Sequence, residues 1–371
     1  MKPTLGVELA ERLRRQVEAK TPQTGAEVFS VAREEYVSRE RLDADKAMFR
    51  RVAHVIGWAG EVASPGTYIT RDVMGVPVLV TRAQDGRLHA FINGCLHRGA
   101  AVAQGCGAAR KFVCPYHAWS YDLDGRLIGV PDRSMFDGVD LKSRGLRPLP
   151  VSERAGLISV GLSPGVDVDE HLREVEGPLV DHEFATRSYY ATRRFDLKTN
   201  WKLAVSVNFE GYHFKVLHRK TVDRIATNNS IYEVFGPHAL WVFPFRQLDL
   251  SEKAPAWPFD FQATAVYFLF PSCILIEAPG VTLMLRVYPG DGPGDCAVYM
   301  ESGSIRPILT DADRAACEAA LSGTAAILDA EDFPQAESCQ KGLEAGVPDV
   351  IFGRSEPVLH HLARQWAQKS R

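Results

Sequence analysis

The 371-residue chain has no long uninterrupted apolar run, little net charge and few cysteines, and each shortage removes a class of function. Its most apolar stretch, Ala263 to Ala278, is broken by Pro271 and carries Glu277. A membrane-spanning helix needs ~20 consecutive apolar residues, so the stretch reads as paired buried strands and no membrane partner is expected. With 43 basic against 46 acidic side chains the net charge is −3, which offers no basic face to a nucleic acid. Met1 to Lys20 is charged and amphipathic, without the apolar centre of a secretory signal, so a cytoplasmic location is expected. Seven cysteines, an odd number, do not suggest a disulfide framework. Cys106, Cys273, Cys296, Cys317 and Cys339 read as small buried apolar residues. A dinucleotide-binding loop is also missing, because Asp291-Gly292-Pro293-Gly294 leads from one strand-like run into another instead of opening a helix, and so reads as a hairpin turn.

What is present is a pair of Cys-His motifs. Cys95 and His97 stand in Asn-Gly-Cys-Leu-His-Arg-Gly, and Cys114 and His117 in Cys-Pro-Tyr-His-Ala-Trp, separated by residues 98–113. This order reads as a Rieske [2Fe-2S] cluster, in which two thiolates hold one iron and two imidazoles the other. A structural zinc site uses the same ligand types but groups two Cys and then two His.

The length exceeds the ~250–300 residues at which single cores stop growing, so two domains are expected. Leu5, Leu9, Leu13 and Val17 recur at helical spacing, and Arg39 to Arg51 is a charged stretch with Leu42 and Phe49 on one side. Residues 1–50 therefore read as a helical segment packing on the rest. From there to 163 the pattern changes to short apolar runs such as Val78-Leu79-Val80, separated by turns at Asp85-Gly86 and Asp124-Gly125, with the ligand pairs on loops. Over 164–371, strands are expected at Arg187 to Leu197, Leu240 to Phe245, Ala265 to Phe270, Ile274 to Ala278, Val281 to Tyr288 and Ala297 to Ser302. Thr310 or Asp311 then caps a helix with Ala315, Ala316, Ala319, Ala320, Ile327 and Leu328 on one face and Asp329, Glu331 and Asp332 at its far end.

From Pro65-Gly66-Thr67-Tyr68 through Val76-Pro77-Val78-Leu79-Val80 and Phe91-Ile92-Asn93 to Tyr121-Asp122-Leu123-Asp124-Gly125, the chain resembles the N-terminal half of the large (alpha) subunit of Rieske non-haem iron ring-hydroxylating oxygenases. Asn200-Trp201-Lys202, Asn208-Phe209-Glu210-Gly211-Tyr212-His213 and His218 resemble the segment in which that family places its mononuclear iron ligands. The resemblance lies between Pro65 and His218 with one short later piece, somewhat under half the chain. It implies an α+β fold: a small β-sandwich Rieske [2Fe-2S] domain, then an antiparallel-sheet domain with helices, helix-grip or START-like, holding mononuclear iron.

Dioxygen activation at non-haem Fe(II) uses two His and one carboxylate on one face of the metal. His213 and His218 supply the pair. At ~100° per residue they would diverge by roughly 140° on a regular helix, so a break is expected near Phe214 to Leu217. The resemblance makes Asp332 the third ligand, with Glu331 as competitor. Glu210 stands where better-known members carry Asp, and by analogy it links His213 of one subunit to His117 of the next, which implies a homotrimer; the modest length, by analogy of size, suggests one without a β subunit. Ala118 stands where Gly is common, Leu96 where Arg or Pro is common, and Val207 where Glu is common. Asn208 and Tyr212 read equally as outer-shell groups of the iron or as plain core and helix residues. Phe243, Phe245, Phe259, Phe261, Tyr267, Phe268 and Phe270 are the aromatics expected to supply an apolar pocket.

The implied activity is that of a terminal oxygenase component. It takes O2, and electrons from a separate NAD(P)H-dependent reductase with or without a ferredoxin, to mono-oxygenate an apolar aromatic or N-/O-alkyl small molecule by hydroxylation or oxidative dealkylation. A cis-dihydroxylating ring dioxygenase is the alternative within the family. Outside it stands a Rieske electron carrier or ligand-binding protein without oxygenase activity. A respiratory-type carrier adds a cysteine to each cluster loop, and Ala100 and Tyr116 occupy those positions here.

Overall fold

A computed structural model describes residues 3–248, 262–278, 281–305 and 307–370. The chain forms two compact units, one of Arg50–His171 with Phe184–Arg187 and the other of the remainder. Among the described residues no helix is long and apolar enough to cross a membrane.

The first unit is built from three small antiparallel sheets. One has the order Pro148–Leu149, Leu88–Ile92, Val76–Arg82, Thr67–Val73, Cys106–Ala108; the second Val151–Arg154, Leu157–Gly161, Ala53–Trp58; the third Phe112–Val113, Ser120–Tyr121, Leu127–Gly129. Val78, Leu79 and Val80 are all buried, which explains a continuous apolar run instead of an alternating one. Both expected turns form, with Gly86 at φ +83° and Gly125 at φ +79°. Cys106 lies on an exposed outer strand, contrary to its reading as a buried residue, because an edge strand has no layer over it.

The second unit is organised on a seven-stranded antiparallel sheet. Ser188–Leu197 lies at one edge beside Cys296–Ser304, and the order continues through Val281–Pro289, Cys273–Ala278, Ala263–Leu269 and His238–Pro244 to Ile231–Phe235. Five strands, from His238–Pro244 to Cys296–Ser304, pair in chain order through four antiparallel ladders, as the expected meander requires, and Gly290 N–H to Asp295 O at 2.8 Å closes the Asp291-Gly292-Pro293-Gly294 hairpin. Every residue of His238–Pro244 is buried, so both sheet faces are covered. Tyr267 faces His182 on one side, whereas its neighbour Phe268 packs on Phe209 and Trp366.

The N-terminal helices dock on this unit. Leu9 and Leu13 of the Pro3–Ala19 helix are buried, and Arg12 pairs with Glu233 at 2.5 Å on the edge strand. The Arg39–Arg51 helix buries Leu42, Met48 and Phe49, and Phe49 meets Trp201 edge-to-face at 5.0 Å. Its Asp45 is also buried, accepting from Trp201 Nε1 at 3.0 Å and pairing with Lys202 Nζ at 2.9 Å. Burial pushes the Asp45 carboxyl up, opposed by Lys202 and Trp201. A buried Lys is tolerated because Glu35 completes its pairing at 3.0 Å.

Thr310 caps the Asp311–Ile327 helix through a reciprocal pair of bonds with Asp313. Two expectations fail here. Ala315, Ala316 and Ala319 are exposed, and the buried face is Cys317, Leu321, Ala325 and Leu328, since a methyl gains too little by burial to set a helix's rotation. The acids also do not end the helix: a π-helical turn, Leu328–Asp332, joins it to a further helix, Phe333–Glu344. Pro334 cannot donate to the residue four positions earlier, so the ladder must loosen there.

Candidate metal centres

Each Cys-His pair lies on a tight loop of the same design. Cys95 N–H donates to Ala100 O and Gly99 N–H to Cys95 O, both at 2.8 Å, while Cys114 N–H donates to Trp119 O at 2.8 Å and Ala118 N–H to Cys114 O at 2.9 Å. A residue of positive φ closes each turn, Gly99 at +84° and Ala118 at +57°. Alanine at the second site carries a strain of about 1 kcal/mol that glycine would not. Buried Asn93 holds the first loop from beneath, accepting from Val102 N at 3.0 Å and Ala103 N at 3.2 Å and donating to Ala103 O at 2.8 Å.

The donor set fits a Rieske cluster. Both thiols are buried, the imidazoles of His97 and His117 stand 4.5 Å apart, and the Nδ1 atoms of both rings are buried without a hydrogen-bond partner. Buried polar nitrogens are rarely orphaned unless an ion or ordered water satisfies them. Burial, with the His117 ring and the Arg98 guanidinium beside it, holds His97 below its ordinary pKa and so favours its neutral form. Trp119 stacks on His97 at 5.1 Å and 10°. Tyr121 Oη accepts from Leu96 N at 2.9 Å and lies 3.2 Å from Cys95 Sγ. Burial and that sulfur keep the phenol protonated, so its hydrogen goes to the sulfur. Hydrogen bonds to cluster sulfurs raise the reduction potential. Tyr121→Phe is therefore expected to lower the cluster midpoint in a redox titration; an unmoved midpoint would remove this role.

The second centre is assembled from two distant segments. Asn200 caps the Trp201–Ser206 helix, accepting from Lys202 N at 2.9 Å, while its amide donates to Tyr36 O at 3.0 Å and Pro293 O at 2.9 Å. Past that helix, residues 207–221 are turns, so the expected break is present: Val216 N and Leu217 N both donate to His213 O. Gly211 is required there, because a Cβ would meet Asn228 Oδ1 at 2.4 Å. The broken backbone brings His213 and His218 to one point, ring centroids 4.8 Å apart. Asp332, last residue of the π turn, meets them there, with Oδ1 3.1 Å from His218 Nε2 and 3.6 Å from His213 Nε2. One ligand atom from each of the three lies within 4.8 Å of the others, an arrangement suited to the two-His, one-carboxylate face of non-haem iron.

Both imidazoles are backed by carboxylates. Glu210 Oε1 accepts from His213 Nδ1, and Glu210 Oε2 accepts from Tyr212 N at 2.5 Å. Glu331 Oε2 lies 2.5 Å from His218 Nδ1 and accepts from Thr221 Oγ1 at 2.7 Å. Burial disfavours the His218 imidazolium, yet Asp332 and Glu331 hold its pKa above the ordinary value, so the site favours a cation. Glu331 thus faces the Nδ1 side of the His218 ring, and Asp332 its Nε2 side. Removing such a carboxylate typically costs ~10–100-fold in metal affinity or activity. Glu331→Gln is expected to weaken iron binding in that range, read by titrating iron into metal-free protein; parental affinity would refute it.

Other expected residues are placed differently. Asn208 donates to Ala204 O at 3.1 Å at the end of its helix, and Tyr212 is 74% exposed. Phe243 joins Phe214 and Trp241 in an aromatic group beside the histidines, with Phe214 5.8 Å from His218. Tyr267, Phe268 and Phe270 pack elsewhere, Phe245 makes an isolated bridge with Ala226, and Phe259 and Phe261 lie outside the described residues. Phe214 and Trp241 were missed because their proximity comes from the turn at 207–221 and from strand pairing. A cavity of about 660 Å³ opens beside His213, lined by Leu203, Val207, Glu210, Asp332 and Glu356 among others. Cys339, expected to be buried, is exposed on this cavity.

Residues 53–143 match the Rieske [2Fe-2S] domain, and residues 184–370, half the chain, match the catalytic domain of the ring-hydroxylating alpha subunit. The chain belongs to the Rieske oxygenase alpha-subunit family. It is 33% identical over 172 residues to the glycine betaine monooxygenase oxygenase subunit of Chromohalobacter salexigens, covering 46% of this chain and 38% of that one. The match thus spans well under half of that relative's length. Identity is 28% over 262 residues to the carnitine monooxygenase oxygenase subunit of Acinetobacter pittii, covering 68% of this chain and 69% of that one. The crystal structure of the quaternary ammonium Rieske monooxygenase CntA with L-carnitine has the same fold, with a TM-score of 0.78 at 21% identity over 95% of this chain and 97% of that one.

Proposed function

We propose that this alpha subunit is the terminal oxygenase of a multicomponent system, mono-oxygenating an N-alkyl or O-alkyl small molecule, or an apolar aromatic, by hydroxylation or oxidative dealkylation. In this reading Cys95, His97, Cys114 and His117 hold the [2Fe-2S] cluster in a domain over 51–163. His213, His218 and Asp332 hold Fe(II) in a domain over 164–371, and residues 1–50 are the helical segment docked on it. When bound, these groups supply one-electron transfer and dioxygen activation. The observation that carries the reading is the meeting of two carboxylate-backed histidines with Asp332 beside a cavity.

The protein's own contribution is orientation. Glu210 and Glu331 fix which nitrogen of each imidazole faces the centre, and Glu210 links His213 to His117 of a neighbouring subunit in a homotrimer without a β subunit. Phe214, Trp241 and Phe243 give an apolar wall that keeps water from the histidines. The hairpin at Asp291–Gly294 leaves no nicotinamide loop there, which favours a separate NAD(P)H-dependent reductase, with or without a ferredoxin. The names of the betaine and carnitine relatives support an N-alkyl substrate. The test is product analysis with labelled dioxygen and a reductase across N-alkyl, O-alkyl and aromatic compounds. One labelled oxygen with hydroxylation or loss of an alkyl fragment is expected. Two labelled oxygens in a cis-diol would make it a dioxygenase, and no product from any class would overturn the oxygenase reading.

A further inference from the structure

Another cavity, of about 160 Å³, lies in the unit that holds His213, where residues 29–36 of the N-terminal arm meet the Trp201–Ser206 helix and the C-terminal Pro357–Lys369 helix. It shares no lining residue with the cavity beside His213. Phe29, Val31 and Trp366 give it apolar walls, and Trp366 keeps its Nε1 on Pro271 O at 2.9 Å, so that ring offers the cavity no donor. An apolar cavity of about 150 Å³ takes up a molecule the size of benzene.

Three polar side chains also border it, Glu35, Tyr36 and Lys202. Glu35 Oε2 accepts from Lys202 Nζ at 3.0 Å and from Arg41 Nη2 at 3.1 Å, and Lys202 pairs with Asp45 at 2.9 Å. Two acids thus face two bases, and the polar wall is neutral as a whole. A charged ligand would bring an unbalanced charge into a place shielded from water, which is costly. Tyr36 differs from the other two. It is 2% exposed, and its carbonyl oxygen accepts from Asn200 and Gln340, but its Oη has no hydrogen-bond partner among the described residues. Burial, with the Glu35 carboxylate beside it, pushes this phenol up, so it keeps its hydrogen and is a donor without an acceptor. Leaving such a hydroxyl unpaired costs free energy that a ligand oxygen would restore.

We infer that this cavity binds a small neutral aromatic compound carrying one hydroxyl group, with its ring between Phe29 and Trp366 and its oxygen accepting from Tyr36 Oη. The ligand's own hydroxyl hydrogen goes to Glu35, since a carboxylate has about four lone-pair sites and can serve a further donor. A hydrocarbon of the same size fills the space but leaves Tyr36 unpaired. Neither metal takes part, so the site stands apart from the oxygenase reading. An occupant ties the N-terminal arm to the C-terminal helix, next to the helix that runs toward His213.

Phenol titrated into the full-length, metal-loaded protein tests this, with calorimetry for affinity and amide hydrogen exchange for location. Exchange is expected to slow over 29–36 and 363–367. Benzene, which cannot accept from Tyr36, should bind about three- to tenfold more weakly, the worth of one hydrogen bond. Tyr36→Phe removes an oxygen that holds nothing else among the described residues, so it should fold like the parent and lose the preference for phenol over benzene. Ala367→Phe, which fills the space, should abolish the protection. Protection confined to the segments around His213 and His218, or retained over 29–36 in Ala367→Phe, would overturn the inference. So would a phenol preference undiminished in Tyr36→Phe.

Discussion

His213→Ala is expected to reduce iron from about three to about two per chain and to abolish oxygenation, while the cluster's spectrum stays intact. The argument is geometric. Asp332 and His218 are buried and mutually bonded at 3.1 Å, so they survive as a pair, but two ligands do not close the triangular face on which open coordination positions depend. His213 is also the more accessible of the two histidines, at 19% side-chain exposure against 3%, and it borders the cavity, so its loss opens the site without removing core packing. Metal analysis beside a turnover assay decides the matter. A variant that keeps its third iron or its parental rate would sink the assignment.

Glu210→Gln is expected to leave both metals bound while turnover drops by about 10–100-fold or more. The carboxylate uses one oxygen on His213 Nδ1 and the other on the backbone of Tyr212, so its position is set before any second subunit arrives. An amide keeps the size and one acceptor but brings an NH2 toward a ring nitrogen that already carries hydrogen. The loss should appear in cluster re-oxidation and not in substrate affinity. Equal single-turnover rates for parent and variant would remove Glu210 from the path.

The two centres differ in how much of each could be read from the residues. Cys95, His97, Cys114 and His117 sit on two short loops closed by their own backbone, so spacing along the chain almost equals spacing in space. His213 and His218 were picked out by likeness to the family's iron-ligand segment, and the break between them followed from the angle a regular helix would impose. Asp332 lies 114 positions from His218 and was placed only through family likeness. Its neighbour Glu331 could not be told apart from it, since a helix end and a π turn have the same composition, and Pro334 was the one local sign that the ladder would widen.

The aromatic wall shows the same division. Continuous apolar runs announced buried strands but not which face looked at the histidines: Tyr267 turned to His182 and Phe268 to Trp366, whereas Phe214 and Trp241 came to the centre. The order of residues was enough for the two Cys-His loops and the meander, because each rests on contacts between near neighbours in the chain, and the histidine pair needed the family likeness as well. The carboxylate behind each imidazole and the turn that delivers Asp332 arose only on folding. Those depend on how separate segments pack, and local spacing carries no information about that.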